Sequence, residues 1–189
     1  MSTESANAST SLDRFSVLQL REYWDAVAAL KDGESIRAMH PCQMPPWTDI
    51  CNQLHWRLHR ADGGYFSEKH HGYCGVYRLV ALESNGKLTA PASLNRLCGQ
   101  DPTGTLYIGC ASRLHSRLNQ VRRSVRAYRA EGSHGAVAAL RALPGVSLPP
   151  TKLAIALLFT ERCIRSIEDD LIRAYMNTYG DAPPLNYRL

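Results

Sequence analysis

The sequence predicts an α+β fold in which a small three-stranded sheet, antiparallel or mixed, is flanked by helices and preceded by a helical extension. Three observations predict it. Three short runs have strand character: Gly75 to Leu82, Thr105 to Gly109, and Leu153 to Phe159. Between and after them the apolar spacing switches to a helical period, first from Ser112 and then from Thr160. At 189 residues, the chain has room for one compact domain plus an extension.

In chain order, residues 1–12 are small and polar and read as a disordered tail. Residues 13–66 read as the helical extension. One amphipathic helix runs from Phe15 to Leu30 on Val17, Leu18, Leu20, Tyr23, Trp24, Val27 and Leu30. A second follows Pro45-Pro46 and runs through Trp47, Ile50, Leu54 and Leu58 to about Arg60. All three tryptophans fall in this third, where they are suited to pack these helices onto the main domain or into a homodimer contact. His40, Cys42, Cys51 and His55 include zinc-ligand types but lack the tight paired spacing of structural zinc sites. His70, His71 and Cys74 read as loop residues leading into the first strand.

The main domain spans residues 67–189. In its first strand Tyr77, Leu79 and Ala81 share a face, and Asn85-Gly86 is a turn signal at which the strand turns back. Lys87 to Gly104 is long for a connection and reads as a surface insertion, with Lys87, Asn95 and Arg96 available to a partner. In the second strand Leu106, Tyr107 and Ile108 alternate, and Gly109 lets the backbone leave the strand. With Ser112 as N-cap, Leu114, Leu118, Val121, Val125 and Tyr128 then form one stripe of a helix. A short helix from His134 to Leu143, the strand from Leu153 and a last helix capped by Thr160 complete the fold.

Charge points to an anionic partner. The chain carries a net +5 with a pI near 9.0. Six arginines, Arg113, Arg117, Arg122, Arg123, Arg126 and Arg129, decorate the helix after Gly109, and no acid interrupts Thr103 to Ala130. Guanidinium groups bind phosphate bidentately, so Arg113, Arg122, Arg126 and Arg129, with His115 and Lys87, are candidate DNA contacts. The six cysteines are spread through a chain with no apolar leader near Met1, which predicts a reduced, cytoplasmic protein. No apolar run is long enough to span a bilayer, so membrane roles are set aside.

In the last helix Ile164, Ile167, Leu171, Ile172 and Tyr175 define an inward face. Glu168 projects into its middle, whereas Asp169 and Asp170 point away. A carboxylate there costs several kcal/mol unless a cation or strong donors compensate it. It is therefore either the buried partner of an arginine or a metal ligand in an active site.

Gly75-Val76-Tyr77, Tyr107-Ile108-Gly109, Arg117 ten positions past the second tyrosine, Glu168 within Glu-Asp-Asp-Leu-Ile-Arg, and Pro184-Leu185-Asn186 together resemble the GIY-YIG nuclease superfamily. The likeness covers roughly Gly72 to Tyr187. It implies a three-stranded sheet flanked by helices and a phosphodiester hydrolase that uses one divalent ion, Mg2+ or Mn2+. By the same resemblance, Glu168 is the metal ligand and Arg117 contacts the scissile phosphate. Tyr77 and Tyr107 position or deprotonate the attacking water, and Asn186 braces the site. The family's histidine or tyrosine one turn beyond the arginine is Val121 here, with His115 or His134 as substitutes. Tyrosine, with a reference pKa of about 10, serves as a base only where positive charge such as Arg117 or the metal lowers that value.

The expected activity is a metal-dependent DNA endonuclease, with RNA left open as an alternative substrate. The competing expectation is a nucleic-acid-binding module that keeps the fold without catalysis, for which Val121 is the main support.

Overall fold

The computed structural model divides the chain into two units, Met1–Met39 and His40–Leu189. The structure describes residues 46–54, 56–64, 73–83, 85–126, 134–142, 148–160 and 164–186, all in the second unit. The expected tail, the helix from Phe15, His40, Cys42, His55, His70, His71 and Arg129 lie outside the described residues.

The architecture is α+β. In chain order the elements are α1 (Trp47–Gln53), β1 (Arg57–Arg60), β2 (Cys74–Ala81), β3 (Leu94–Arg96), β4 (Gly99–Asp101), β5 (Thr105–Ala111), α2 (Leu114–Arg126), α3 (Gly135–Ala142), β6 (Leu153–Thr160) and α4 (Ile164–Tyr179). The main sheet has four strands in the order β1-β6-β2-β5, every neighbouring pair antiparallel, and β3 and β4 form a separate hairpin.

The expected three strands are present as β2, β5 and β6, and the fourth corrects the reading of 57–60 as helix. Trp47, Ile50, Leu54 and Leu58 keep a helical spacing on paper, yet the helix stops at Gln53 and Leu54 is already extended. From Arg57 to Arg60 the chain pairs with Leu157 back to Ala154, covering the edge that β6 would otherwise expose. A distant partner strand outweighs local periodicity here, as β pairing commonly does.

Two layers cover the sheet. On one face Tyr77, Leu79 and Ala81 stand beside Leu157, Ile155 and Leu153, under Leu114, Leu118, Val121 and Val125 of α2 and Ala136, Val137 and Leu140 of α3. The opposite face carries Val80, Leu82, Ala154 and Ala156, and α4 packs across β5 and β2. Trp47 of α1 meets Tyr175 of α4 edge-on, with ring centroids 5.5 Å apart.

That second layer holds a buried charge network. Arg78 interrupts an apolar strand and is 4 % exposed; its guanidinium lies over the rings of Trp47 and Trp56, at 5.5 and 4.5 Å, and donates to Thr105 Oγ1 at 2.7 Å. Asp101 is fully buried. It accepts hydrogen bonds from the Thr103 amide and hydroxyl, the Thr105 amide, and the hydroxyls of Tyr175 and Tyr179. Trp47 Nε1 joins through Thr103 Oγ1 at 2.9 Å, so one polar cluster ties α1, β2, β5 and α4 together.

The Lys87 to Gly104 insertion is also more ordered than a surface loop. Asn85-Gly86 does turn, with Gly86 at φ +62°, but the returning chain meets β2 only in the Leu82–Pro91 bridge before entering the β3–β4 hairpin. Arg96 pairs with Asp181 and the Ala182 carbonyl, and the Cys98 amide donates to Tyr179 O at 2.9 Å. The hairpin is thereby clamped onto the end of α4, and Arg96 is engaged internally. Among the described residues no helix is long and apolar enough to cross a membrane.

Candidate active site

The proposed site residues gather at the end of the sheet where β2 begins and β5 ends. β5 is an edge strand, and its outer side is held by the C-terminal segment. Asn186 accepts from Ile108 N–H at 2.8 Å and donates to Ile108 O at 2.7 Å, while Leu185 N–H donates to Leu106 O at 2.9 Å. One side-chain amide satisfies both backbone groups of Ile108, which fixes the strand between the two tyrosine-bearing positions and α4.

Tyr77 and Tyr107 lie on adjacent strands, two residues off direct pairing, with ring centroids 5.9 Å apart. Gly109 stands directly across from Tyr77 and lies inside β5 rather than at its end. What the position requires is the absence of a side chain: a Cβ there would sit 2.5 Å from Tyr107 Cε1 and 2.9 Å from Tyr77 Cζ and Oη. Gly109→Ala is therefore expected to spread the ring pair, lowering stability by about 1–3 kcal/mol, the usual cost of overpacking. A thermal midpoint equal to that of the wild type would refute this contact.

His134, at the start of α3, completes the cluster. Its Nε2 lies 2.6 Å from the Tyr77 hydroxyl, its ring packs edge-on against Tyr107 at 5.4 Å, and its backbone N–H donates to Ser124 Oγ. Val121, the position one turn beyond Arg117, is fully buried in the core. The imidazole thus reaches Tyr77 from a different element, as one of the two expected substitutes. The other, His115, faces Asn119 on α2.

Electrostatics set the protonation states. Burial holds the Tyr77 phenol above its ordinary value, with Tyr107 adding to the rise and Arg117 opposing it. Burial outweighs the Arg117 charge, so by Arg117 alone the Tyr77 phenol keeps its proton. Burial, reinforced by Arg117, lowers His134 to about 4. Both groups are neutral at pH 7.

His134 therefore makes a signed prediction. Between 6.5 and about 4 the unfolded chain binds a proton that the folded protein refuses, so this stability is complete above pH 6.5 and is lost as pH falls toward 4. The slope is at most about 1.4 kcal/mol per pH unit. Asp170 acts oppositely over much of the window: burial raises it from 3.8 to about 6, so folding gains a proton there and is favoured as pH falls. The measurement is accordingly a difference. Urea unfolding of His134→Gln should gain on the wild type as pH drops from about 7 to about 5, and a constant gap would contradict a buried neutral imidazole.

On the other side of β5, Cys110 alternates away from Gly109 toward α4, and its thiol donates to Glu168 Oε2 at 2.7 Å. Burial, with Glu168 beside it, pushes this thiol up to about 12. Glu168 is half-buried, and among the described residues no arginine lies within ion-pair distance of it. The buried arginine pair weighed from the sequence is thus not formed among them. Leu171, Ala174, Tyr175 and Tyr179 form the buried face of α4; Asp169 is exposed, but Asp170 is half-buried rather than directed away. Thr160 is the last residue of β6.

Arg117 is half-buried and donates to Gln120 Oε1 at 2.9 Å; its charge acts on both Tyr77 and His134. The remaining candidates separate. Arg113 is exposed just before α2. Arg122 is buried and donates to Arg60 O, and Arg126 donates to the Asp62 and Gly63 carbonyls, so both staple α2 to the turn after β1. Lys87 is exposed beyond the far end of β2, away from the tyrosines. Of the four zinc-type residues only Cys51 is described; it is buried beside Arg78. Among the described residues no three His, Cys, Asp or Glu side chains cluster as a metal site.

Two participants escaped sequence reasoning. Cys110 carries no signal apart from its place after the glycine, and Arg78 had one, a charge inside an apolar strand. Compared with known proteins, the chain matches no family model, no curated protein and no solved structure.

Proposed function

We propose that this protein is a divalent-metal-dependent DNA endonuclease of the GIY-YIG type. One observation carries the reading: Tyr77 and Tyr107 stand together against Gly109 of β5, and on the other side of the strand Glu168 of α4 meets the next residue, Cys110. Phosphodiester hydrolysis needs an oriented water, a cation at the phosphate and charge stabilisation in the transition state.

Arg117 supplies the fixed cation. Neutral Tyr77 donates its hydroxyl proton to His134 Nε2, which leaves the phenol oxygen as an acceptor for the attacking water. Tyr107 packs both rings, and Asn186 holds β5 so that the two sides of the site keep their spacing. Water adds to phosphorus as one P–O ester bond breaks, leaving a phosphomonoester and an alcohol.

Glu168 fits a magnesium or manganese ion. Its carboxylate is half-exposed and takes a single hydrogen bond among the described residues, from Cys110. A lone carboxylate with a water-rich shell suits magnesium, which keeps several waters. When bound, the ion supplies charge neutralisation at the phosphate. The helix expected from Phe15 to Leu30 remains the proposed homodimer contact.

The competing reading, a binding module without catalysis, drew on Val121. His134 against Tyr77 weakens that support. The deciding assay is supercoiled plasmid with magnesium or manganese, beside a chelator control. Metal-dependent nicking supports the nuclease, whereas plasmid that is bound but uncut with either metal, together with uncut branched DNA and RNA, sinks it.

A further inference from the structure

Beside the site, at the same end of the sheet, three side chains form a surface that the nuclease reading does not use. Tyr73 lies just before β2 and is 52 % exposed. Among the described residues the exposed large apolar side chains are Leu58, Tyr73, Leu97 and Met176, and Tyr73 is their one aromatic. Its ring stands edge-on to Phe159 of β6, with centroids 5.5 Å apart, and the exposed Arg57 of β1 lies over Phe159 at 5.3 Å.

We infer that Tyr73, Phe159 and Arg57 form a stacking platform for an unpaired nucleobase, so that the substrate is DNA with a single-stranded branch beside its duplex. The inference rests on the nuclease reading for its chemistry and adds the substrate class.

The physical case has three parts. An aromatic ring held edge-on by a neighbour is oriented without being buried, and base stacking on such a ring tolerates any sequence because every base has a π-face. In a duplex those faces are covered by neighbouring bases, so only an unpaired base can use the platform. Charge matches as well: Arg57 and Arg113 are exposed nearby, and no acid occurs from Thr103 to Ala130.

Position links the platform to the scissile phosphate. The Tyr73 carbonyl accepts the N–H of Leu114, the first residue of α2, at 3.0 Å. Leu114 in turn packs over Gly75, where a Cβ would lie 3.2 Å from its Cδ2. The start of the Arg117 helix therefore sits between Tyr73 and Tyr77. These two residues are four apart along the chain, about 13 Å at strand rise, which a nucleotide or two of backbone can span.

The test uses the full chain and splayed-arm DNA carrying 2-aminopurine, placed either in an unpaired arm beside the junction or within the duplex. In chelator, binding should change the fluorescence of the unpaired probe and leave the duplex probe unchanged. Tyr73→Ala should abolish that response and weaken splayed-arm binding by about 10-fold, the usual cost of one lost stacking partner, whereas Tyr73→Phe keeps both. Arg57→Gln, at an exposed position, is a second variant expected to weaken the same binding several-fold. With magnesium, wild type should cut splayed-arm DNA faster than plain duplex, and Tyr73→Ala should lose that preference.

Cleavage without any Tyr73-dependent fluorescence response overturns the platform and leaves the nuclease standing. A Tyr73-dependent response with no cleavage in either metal keeps the platform and overturns the nuclease.

Discussion

Glu168→Gln is expected to reduce plasmid nicking by at least about 10³-fold in magnesium or manganese, because it removes the charge that holds the cation while leaving the shape of the side chain. The substitution is chosen for what it preserves. Glutamine retains a carbonyl oxygen that can accept the Cys110 thiol, so the contact between β5 and α4 survives and the thermal midpoint should stay near that of the wild type. DNA affinity in chelator should also persist, since the exposed cations around α2 are untouched. Nicking within 10-fold of wild type at saturating metal would remove Glu168 from the reaction. A loss of both cleavage and thermal stability would instead place Glu168 in the scaffold.

The largest expected effect on stability belongs to Asp101→Ala, at about 3–5 kcal/mol, the range for breaking a buried charged network by removing one partner. Asp101 is fully buried and accepts from two backbone amides and three hydroxyls. Alanine strands those donors and leaves Arg78 buried with its Nε unpartnered and no anion nearby to balance it. For a unit of this size the thermal midpoint should fall by about 10 °C. Tyr175→Phe removes one donor only and should cost about 1 kcal/mol. Thermal unfolding of both variants checks the pair, and a midpoint for Asp101→Ala within 2 °C or so of wild type would mean the network contributes little.

The two effects separate chemistry from scaffold. Glu168 and Asp101 both bring carboxylates to α4, one at the half-exposed edge beside β5 and the other enclosed beneath Tyr175 and Tyr179. Exposure decides which is available to a cation.

The sequence by itself determined the strands β2, β5 and β6, the helices α2 and α4, and the inward lean of Glu168, because each rests on a periodicity that burial of one face imposes over a short stretch. Its resemblance to a nuclease superfamily also pointed to Tyr77, Tyr107, Arg117 and Asn186, and offered His115 and His134 as equals. Only the tertiary structure shows that His134 is the one that meets Tyr77, because that contact joins residues 57 apart in the chain. It also turned 57–60 into a strand, since the edge of β6 that Arg57 to Arg60 covers lies about a hundred residues away and no local pattern reports it. Arg122 and Arg126 show the same division: the sequence correctly placed them beside the apolar stripe of a helix, but the carbonyls they serve belong to a turn some 60 residues earlier. Periodicity tells which way a side chain points. What it meets there is set by chain segments far away in sequence.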